Sequence, residues 1–228
     1  MRIASDIANE FNEFSINYTN DMIACVPYYM FLIDEMTRNL PDDFKPENIL
    51  DLGCGNGNVT AKVLEEFPYA AYTLVDASTE MLELCRGRFS GFSVELCHSY
   101  FNDYSFPKQS FDMITAGFSL HHCNSEEKQQ LFKKIHAALK PGGIFGITDL
   151  MINKENSYHP ELLKDWKAFV YKSFPDGEKW EWIMEHYDAF DKPDSLDDQL
   201  LWLQEAGFSD IECSVRDDYW TYLRCRKS

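Results

Sequence analysis

Paired cysteines are missing from this chain. Its seven, Cys25, Cys54, Cys85, Cys97, Cys123, Cys213 and Cys225, are scattered, odd in number, and never stand as C-x-x-C. That spacing argues against a disulfide framework or a cysteine zinc site and fits reduced thiols, hence a cytoplasmic protein. Basic charge is also scarce. Lys and Arg number 21 against 38 Asp and Glu, a formal net charge of -17. Tight basic clusters are confined to Lys133-Lys134 and the Arg224–Lys227 end. A nucleic-acid partner, which calls for a basic surface that displaces phosphate counterions, is disfavoured. No apolar run is long enough to span a bilayer, so no membrane partner is expected. The first residues, Met1–Asp6, lack the apolar stretch of a secretion signal.

The remaining composition is that of a folded globular chain, with 45% hydrophobic and 26% charged residues. One domain over 1–228 accounts for the length. From about Asn48, short apolar runs alternate with helix-like segments: 49–52, 71–75, 93–96, 111–116 and 143–148. Near-continuous apolar strands separated by helices predict an α/β fold, a doubly wound and mostly parallel sheet. Ser78, Ser125 and Ser195 read as helix starts, and Lys140-Pro141-Gly142-Gly143 as a helix end turning into a strand. Phe208–Val215 and Tyr219–Cys225, joined at Asp217-Asp218, are too closely linked to pair other than antiparallel. The expected sheet is therefore seven-stranded and ends in an antiparallel hairpin.

Two regions fall outside the alternation. Residues 1–40 carry Phe11, Phe14, Tyr18, Met22, Val26, Tyr29 and Ile33 at helical spacing and predict a helical N-terminal cap. Residues 152–194 are rich in Trp166, Phe169, Trp180, Trp182 and Tyr187 and predict a helical cap insertion over the strand ends.

The motif with most chemistry is Asp51-Leu52-Gly53-Cys54-Gly55-Asn56-Gly57-Asn58, at the end of the first strand. Its glycines let the backbone turn sharply against a ligand. Asp76 closes the second strand, where a carboxylate can accept both hydroxyls of a ribose. A dinucleotide fingerprint G-x-G-x-x-G needs glycine where Asn58 stands, and an acid at Asp51, expected to face the cavity, suits an ammonium better than a pyrophosphate.

This pattern resembles the class I S-adenosylmethionine-dependent methyltransferases. The resemblance continues through Ser110-Phe111-Asp112-Met113-Ile114, Leu120-His121-His122, Leu139–Gly143 and Leu203–Phe208, covering essentially the whole chain. It implies S-adenosylmethionine as cofactor and S-adenosylhomocysteine as product. By the same resemblance Gly53, Cys54 and Gly55 would line the methionine and ribose, with Asp51 near the amino group and Asp76 on the ribose. Ala77 and Met81 would flank the adenine. Gly117 and Phe118 would lie under the sulfonium. Tyr100-Phe101 stands where the family often has an aspartate for the adenine amine, so backbone or stacking contacts would replace it.

The segment Met22–Tyr29 and the C-terminal half are also similar to carboxy-S-adenosylmethionine synthases, in which a tyrosine matching Tyr29 contacts the cofactor. Those enzymes hold the extra carboxylate with an arginine. Met184 stands at that place, and no arginine occurs between Arg88 and Arg216. A buried carboxylate without that partner would be costly, which favours plain S-adenosylmethionine.

The expected activity is methyl transfer to a small-molecule acceptor. Two alternatives stay open: a tRNA-modification enzyme related to the carboxylating synthases, and a non-catalytic S-adenosylmethionine-binding module. His121, His122, Asp149, His186 and Tyr18 are candidate bases, with no catalytic residue assigned. Trp180, Trp182, Tyr187, Tyr219 and Trp220 are candidates for an acceptor pocket. A metal is not expected, because adjacent histidines rarely point to one centre and no third ligand is spaced nearby. Assembly as a homodimer is left open.

Overall fold

The computed structural model describes residues 17–228. Phe11 and Phe14, and the first part of the 1–40 cap, lie outside the described residues. Seven strands form one sheet: β1 (Asn48–Leu52), β2 (Ala71–Asp76), β3 (Val94–His98), β4 (Phe111–Gly117), β5 (Leu139–Leu150), β6 (Phe208–Arg216) and β7 (Trp220–Lys227). Their order is β3-β2-β1-β4-β5-β7-β6. The first five are parallel, and β7 runs antiparallel to both β5 and β6. The chain winds outward from β1 in both directions, so β1 and β4 are neighbours across the switch, where open α/β sheets bind ligands.

Strand alternation divides the core. Leu50 and Leu52 face one layer with Ile114, Phe132, Ile135, Phe145 and Leu203. Ile49 faces the other with Leu32, Met36, Val63, Met113 and Tyr222. Asp51 shares the second face, beneath α3 (Asn58–Glu66), and its oxygens accept hydroxyl hydrogens from Thr60 and Thr115. It is 1% exposed and does not face an open cavity as expected: two threonines have replaced water around the carboxylate.

Ser78 caps α4 (Thr79–Arg88) and Ser195 caps α8 (Leu196–Glu205), each accepting a backbone N–H. At α5 (Ser125–Ala138) the cap is Asn124 instead, in a reciprocal capping box with Glu127. The Ser125 hydroxyl donates to Asp194. Lys140–Gly143 does not turn between helix and strand. It lies inside β5 as an irregularity, with Phe111 opposite Leu139 and Met113 opposite Ile144.

The N-terminal cap is two helices, α1 (Tyr18–Cys25) and α2 (Tyr29–Asp34), broken at Pro27 and at Tyr28, whose φ is +60°. The 152–194 segment forms α6 (His159–Val170) and α7 (Glu178–Phe190). The caps are tied together. Trp166 Nε1 donates to the Cys25 carbonyl at 2.6 Å, and Lys179 Nζ pairs with Asp21 at 2.8 Å. Among the described residues no helix is long and apolar enough to cross a membrane.

Candidate active site

The turn after β1 is built on three glycines at positive φ: Gly53 (+65°), Gly55 (+52°) and Gly57 (+83°). Gly53 and Cys54 donate their N–H groups to the Val75 carbonyl. A Cβ on Gly53 would sit 2.4 Å from Ser119 Cβ and 3.1 Å from the Phe101 ring. A Cβ on Gly117 would meet Val59 at 2.4 Å. Both places are closed to any side chain, so glycine is what lets the turn pack against Ser119 and β4 against Val59.

Asp76 stands beside this turn. Its Oδ2 accepts the Gly55 N–H and its Oδ1 the Ser78 N–H, both at 2.8 Å. Burial raises its pKa despite those donors. Each oxygen keeps a lone pair for a ribose hydroxyl. Tyr18 lies over Gly55, 3.7 Å from where a Cβ would be. Asn58, at the position a dinucleotide fold reserves for glycine, donates to the Tyr29 hydroxyl, and Thr19 donates to Asn58. The Tyr29 ring packs 5.0 Å from Phe118, itself at φ +51°.

The structure therefore brings Tyr29, Gly53, Cys54, Gly55, Asp76, Phe101, Gly117 and Phe118 to the carboxyl ends of β1, β2 and β4. Ala77 follows Asp76, its carbonyl held by His98, and Met81 is fully buried below. Tyr100 turns the chain after β3, its carbonyl accepting the Asp103 and Tyr104 N–H groups.

Beyond Tyr18 and Phe118 opens a cleft with a cavity of about 100 Å³. Met22, Val26, Leu150, Trp166, Trp182 and Trp220 supply apolar walls, and His121, His122, His186 and Asp191 a polar end. Trp180 and Tyr187 instead pack in the cap around Trp166, and Tyr219 lies outside the cleft.

At the polar end His121 Nδ1 hydrogen-bonds Asp149 Oδ1 at 2.5 Å, and its Nε2 lies 3.6 Å from Asp191 Oδ1. Burial would depress this imidazole, but Asp149 and Asp191 outweigh it and hold its pKa at about 9. Burial lowers His122, and takes His186 down to about 4. Asp191 is kept at about 2: burial opposes ionisation, and the surrounding imidazoles more than offset it.

The expectation that adjacent histidines diverge is corrected here. One nitrogen each of His121 and His122 and one oxygen of Asp191 lie within 4.8 Å of one another. The tight 3-10 turn Leu120–His122 lets both rings reach the same point. The third group arrives from 70 residues away in sequence. Sequence reasoning passed over Asp191; the signal was an acid in the Asp191–Asp194 strap, just before the Ser195 cap and inside the cap region.

A sequence profile for a methyltransferase domain matches residues 49–143. The demethylmenaquinone methyltransferase of Listeria monocytogenes is 29% identical over 176 residues, spanning 72% of this chain and 71% of that protein. The chain is a class I S-adenosylmethionine-dependent methyltransferase. Solved structures agree on the fold. A methyltransferase of Leishmania major superposes with a TM-score of 0.68 at 14% identity, covering 97% of this chain and 81% of that one. Human N-acetylserotonin methyltransferase, solved with S-adenosylmethionine, gives 0.65 at 16%, covering 97% and 56%. The cofactor of this methyltransferase is S-adenosylmethionine, and the closed glycine turn beside Asp76 fits it. The carboxylating-synthase and non-catalytic alternatives are not favoured.

Proposed function

We propose that this methyltransferase acts on a small, largely apolar acceptor bound in the cleft between the caps. The observation that carries this is continuity: Tyr18, over Gly55, and Phe118, next to Gly117, line the glycine turn on one side and the apolar cleft on the other. The demethylmenaquinone relatives bear names that also point to an apolar acceptor. The cofactor supplies an activated methyl, so the protein's task is alignment and exclusion of water. Gly53, Cys54 and Gly55 line the methionine and ribose, Asp76 holds the ribose, and Ala77, Met81, Tyr100 and Phe101 surround the adenine. Tyr29 and Phe118 shape the passage to the acceptor. The test is methyl transfer from labelled S-adenosylmethionine across apolar hydroxyaromatics, thiols and amines, with tRNA alongside. Product from an apolar small molecule is expected; turnover on tRNA alone would overturn the proposal.

We place the cofactor's amino group near Asp51, and this has a pH signature. Burial outweighs the Thr60 and Thr115 hydrogen bonds and lifts Asp51 from 3.8 to about 6. A raised folded value means the carboxylate burdens the free protein as pH climbs through 6, and not below 4. An ammonium alongside would favour the carboxylate, so binding should expel a proton. Calorimetry in buffers of different ionisation enthalpy should show release strongest near pH 5 and fading by pH 7, with affinity rising over that interval. Asp51→Asn should abolish the dependence. A wild-type enthalpy indifferent to buffer would place the amino group elsewhere.

A further inference from the structure

We infer that His121, His122 and Asp191 form a binding site for a divalent cation of the zinc class at the polar end of the acceptor cleft. Asp191 Oδ1 is buried and accepts no well-directed hydrogen bond. Yet three imidazole nitrogens surround it: His122 Nδ1 at 3.2 Å, His186 Nε2 at 3.5 Å and His121 Nε2 at 3.6 Å. The longer separations are poor hydrogen bonds. The 3.2 and 3.6 Å separations of His122 and His121 from Asp191 bracket instead the edge between neighbouring ligands of a tetrahedral zinc, about 3.3 Å for bonds of about 2.0–2.1 Å.

The surroundings are those of a metal centre. The other nitrogen of His121 is held by Asp149, and Asp149 also accepts the His121 N–H at 3.0 Å. A carboxylate orienting a ligating histidine from behind is the usual outer support of such sites. The Asp191 strap is fixed independently: the Lys192 N–H donates to the His121 carbonyl at 2.6 Å. Two imidazoles and one carboxylate select zinc, cobalt or iron over magnesium or calcium, which want oxygen donors. Three protein ligands, all lining the cleft, leave a fourth position for a ligand from the cleft.

That open position gives the cation a role, which rests on the acceptor reading above. An acceptor thiol or hydroxyl taking it loses its proton to solvent and stays a nucleophile. Its lone pair forms the new bond to the methyl carbon, while the bonding pair of the breaking carbon–sulfur bond remains on the cofactor's sulfur. The methylated product carries no negative charge on that atom, binds the cation weakly and leaves.

The test is metal binding itself. Protein stripped with chelator is titrated with Co²⁺ by visible absorbance and with Zn²⁺ by competition against a chromogenic chelator, and cofactor affinity is measured on the same samples. One equivalent per chain with tetrahedral cobalt bands is expected. His122→Gln and Asp191→Asn should each weaken binding more than about 100-fold, and Asp149→Asn by about 10–100-fold, with cofactor affinity kept as evidence of folding. Benzenethiol added to the cobalt form should give a sulfur-to-metal charge-transfer band. Substoichiometric cobalt, or full binding in both His122→Gln and Asp191→Asn, overturns the site. Absence of the thiol band with cobalt bound overturns the role given to the open position. Tetrahedral cobalt and the thiol band in a protein that methylates tRNA alone would support the site and count against the acceptor reading.

Discussion

Gly53→Ala should abolish cofactor binding while leaving a folded but weakened protein. Two costs combine. At φ +65° an alanine carries left-handed strain of about 1–2 kcal/mol. Its Cβ would also stand 2.4 Å from Ser119 Cβ and 2.7 Å from Ser119 Oγ, and Ser119 is pinned by donating to the Leu52 carbonyl at 3.0 Å. Forcing that contact apart adds about 1–3 kcal/mol, giving a loss of about 2–5 kcal/mol in denaturant unfolding. With the cofactor lying against this turn, as proposed, displacing its backbone should lower cofactor affinity by at least about 100-fold. Gly55→Ala is the matched control. Its φ of +52° brings the strain, but the nearest atom is Tyr18 at an ordinary 3.7 Å, so only the strain of about 1–2 kcal/mol is expected. Adding Ser119→Gly to Gly53→Ala should return part of the stability, since it removes the clashing carbon and leaves the strain. If the two glycine variants behave alike, crowding at Ser119 is not what demands glycine.

The same turn shows what a sequence makes legible. Glycines at the end of an apolar strand, with an acid closing the next one, announce a ligand turn because backbone geometry and short-range spacing dictate it. The sheet was readable for the same reason: buried parallel strands are apolar throughout, and the short link at Asp217-Asp218 forces a hairpin. Asp51 was misjudged because its environment depends on Thr60 and Thr115, which reach it from a helix and a neighbouring strand. The capping residue at α5 was off by one, since Asn and Ser are both competent caps and only the reciprocal bond to Glu127 separates them. Lys140–Gly143 has turn chemistry, yet pairing of β5 with β4 on both sides absorbs it into the strand. The histidine cluster was least legible of all. Its geometry depends on a strap 70 residues from His121, brought there by packing of the cap.

Lys128→Met should be the most damaging single change away from the ligand surfaces. Lys128 is 1% exposed, and its ammonium donates to the Lys192 carbonyl at 2.5 Å and to Asp194 Oδ2 at 2.6 Å. Asp194 also accepts the Ser125 hydroxyl at 2.7 Å, so the lysine ties the strap to α5 at two points. Removing one partner of a buried pair leaves the other charge uncompensated, which typically costs about 3–5 kcal/mol. Asp194 retains 16% side-chain exposure and Ser125, so the low end applies: about 3 kcal/mol, or a melting temperature about 6–12 °C lower. Lys128→Met with Asp194→Leu should be less harmful than the single change, because an apolar pair leaves no charge stranded. The strap carries Asp191, so cobalt affinity should drop in the single variant while cofactor affinity, set on the far side of Tyr18, holds. A melting temperature within 2 °C of wild type would mean that Lys128 does not hold the strap, and that Asp191 is positioned by the histidines around it.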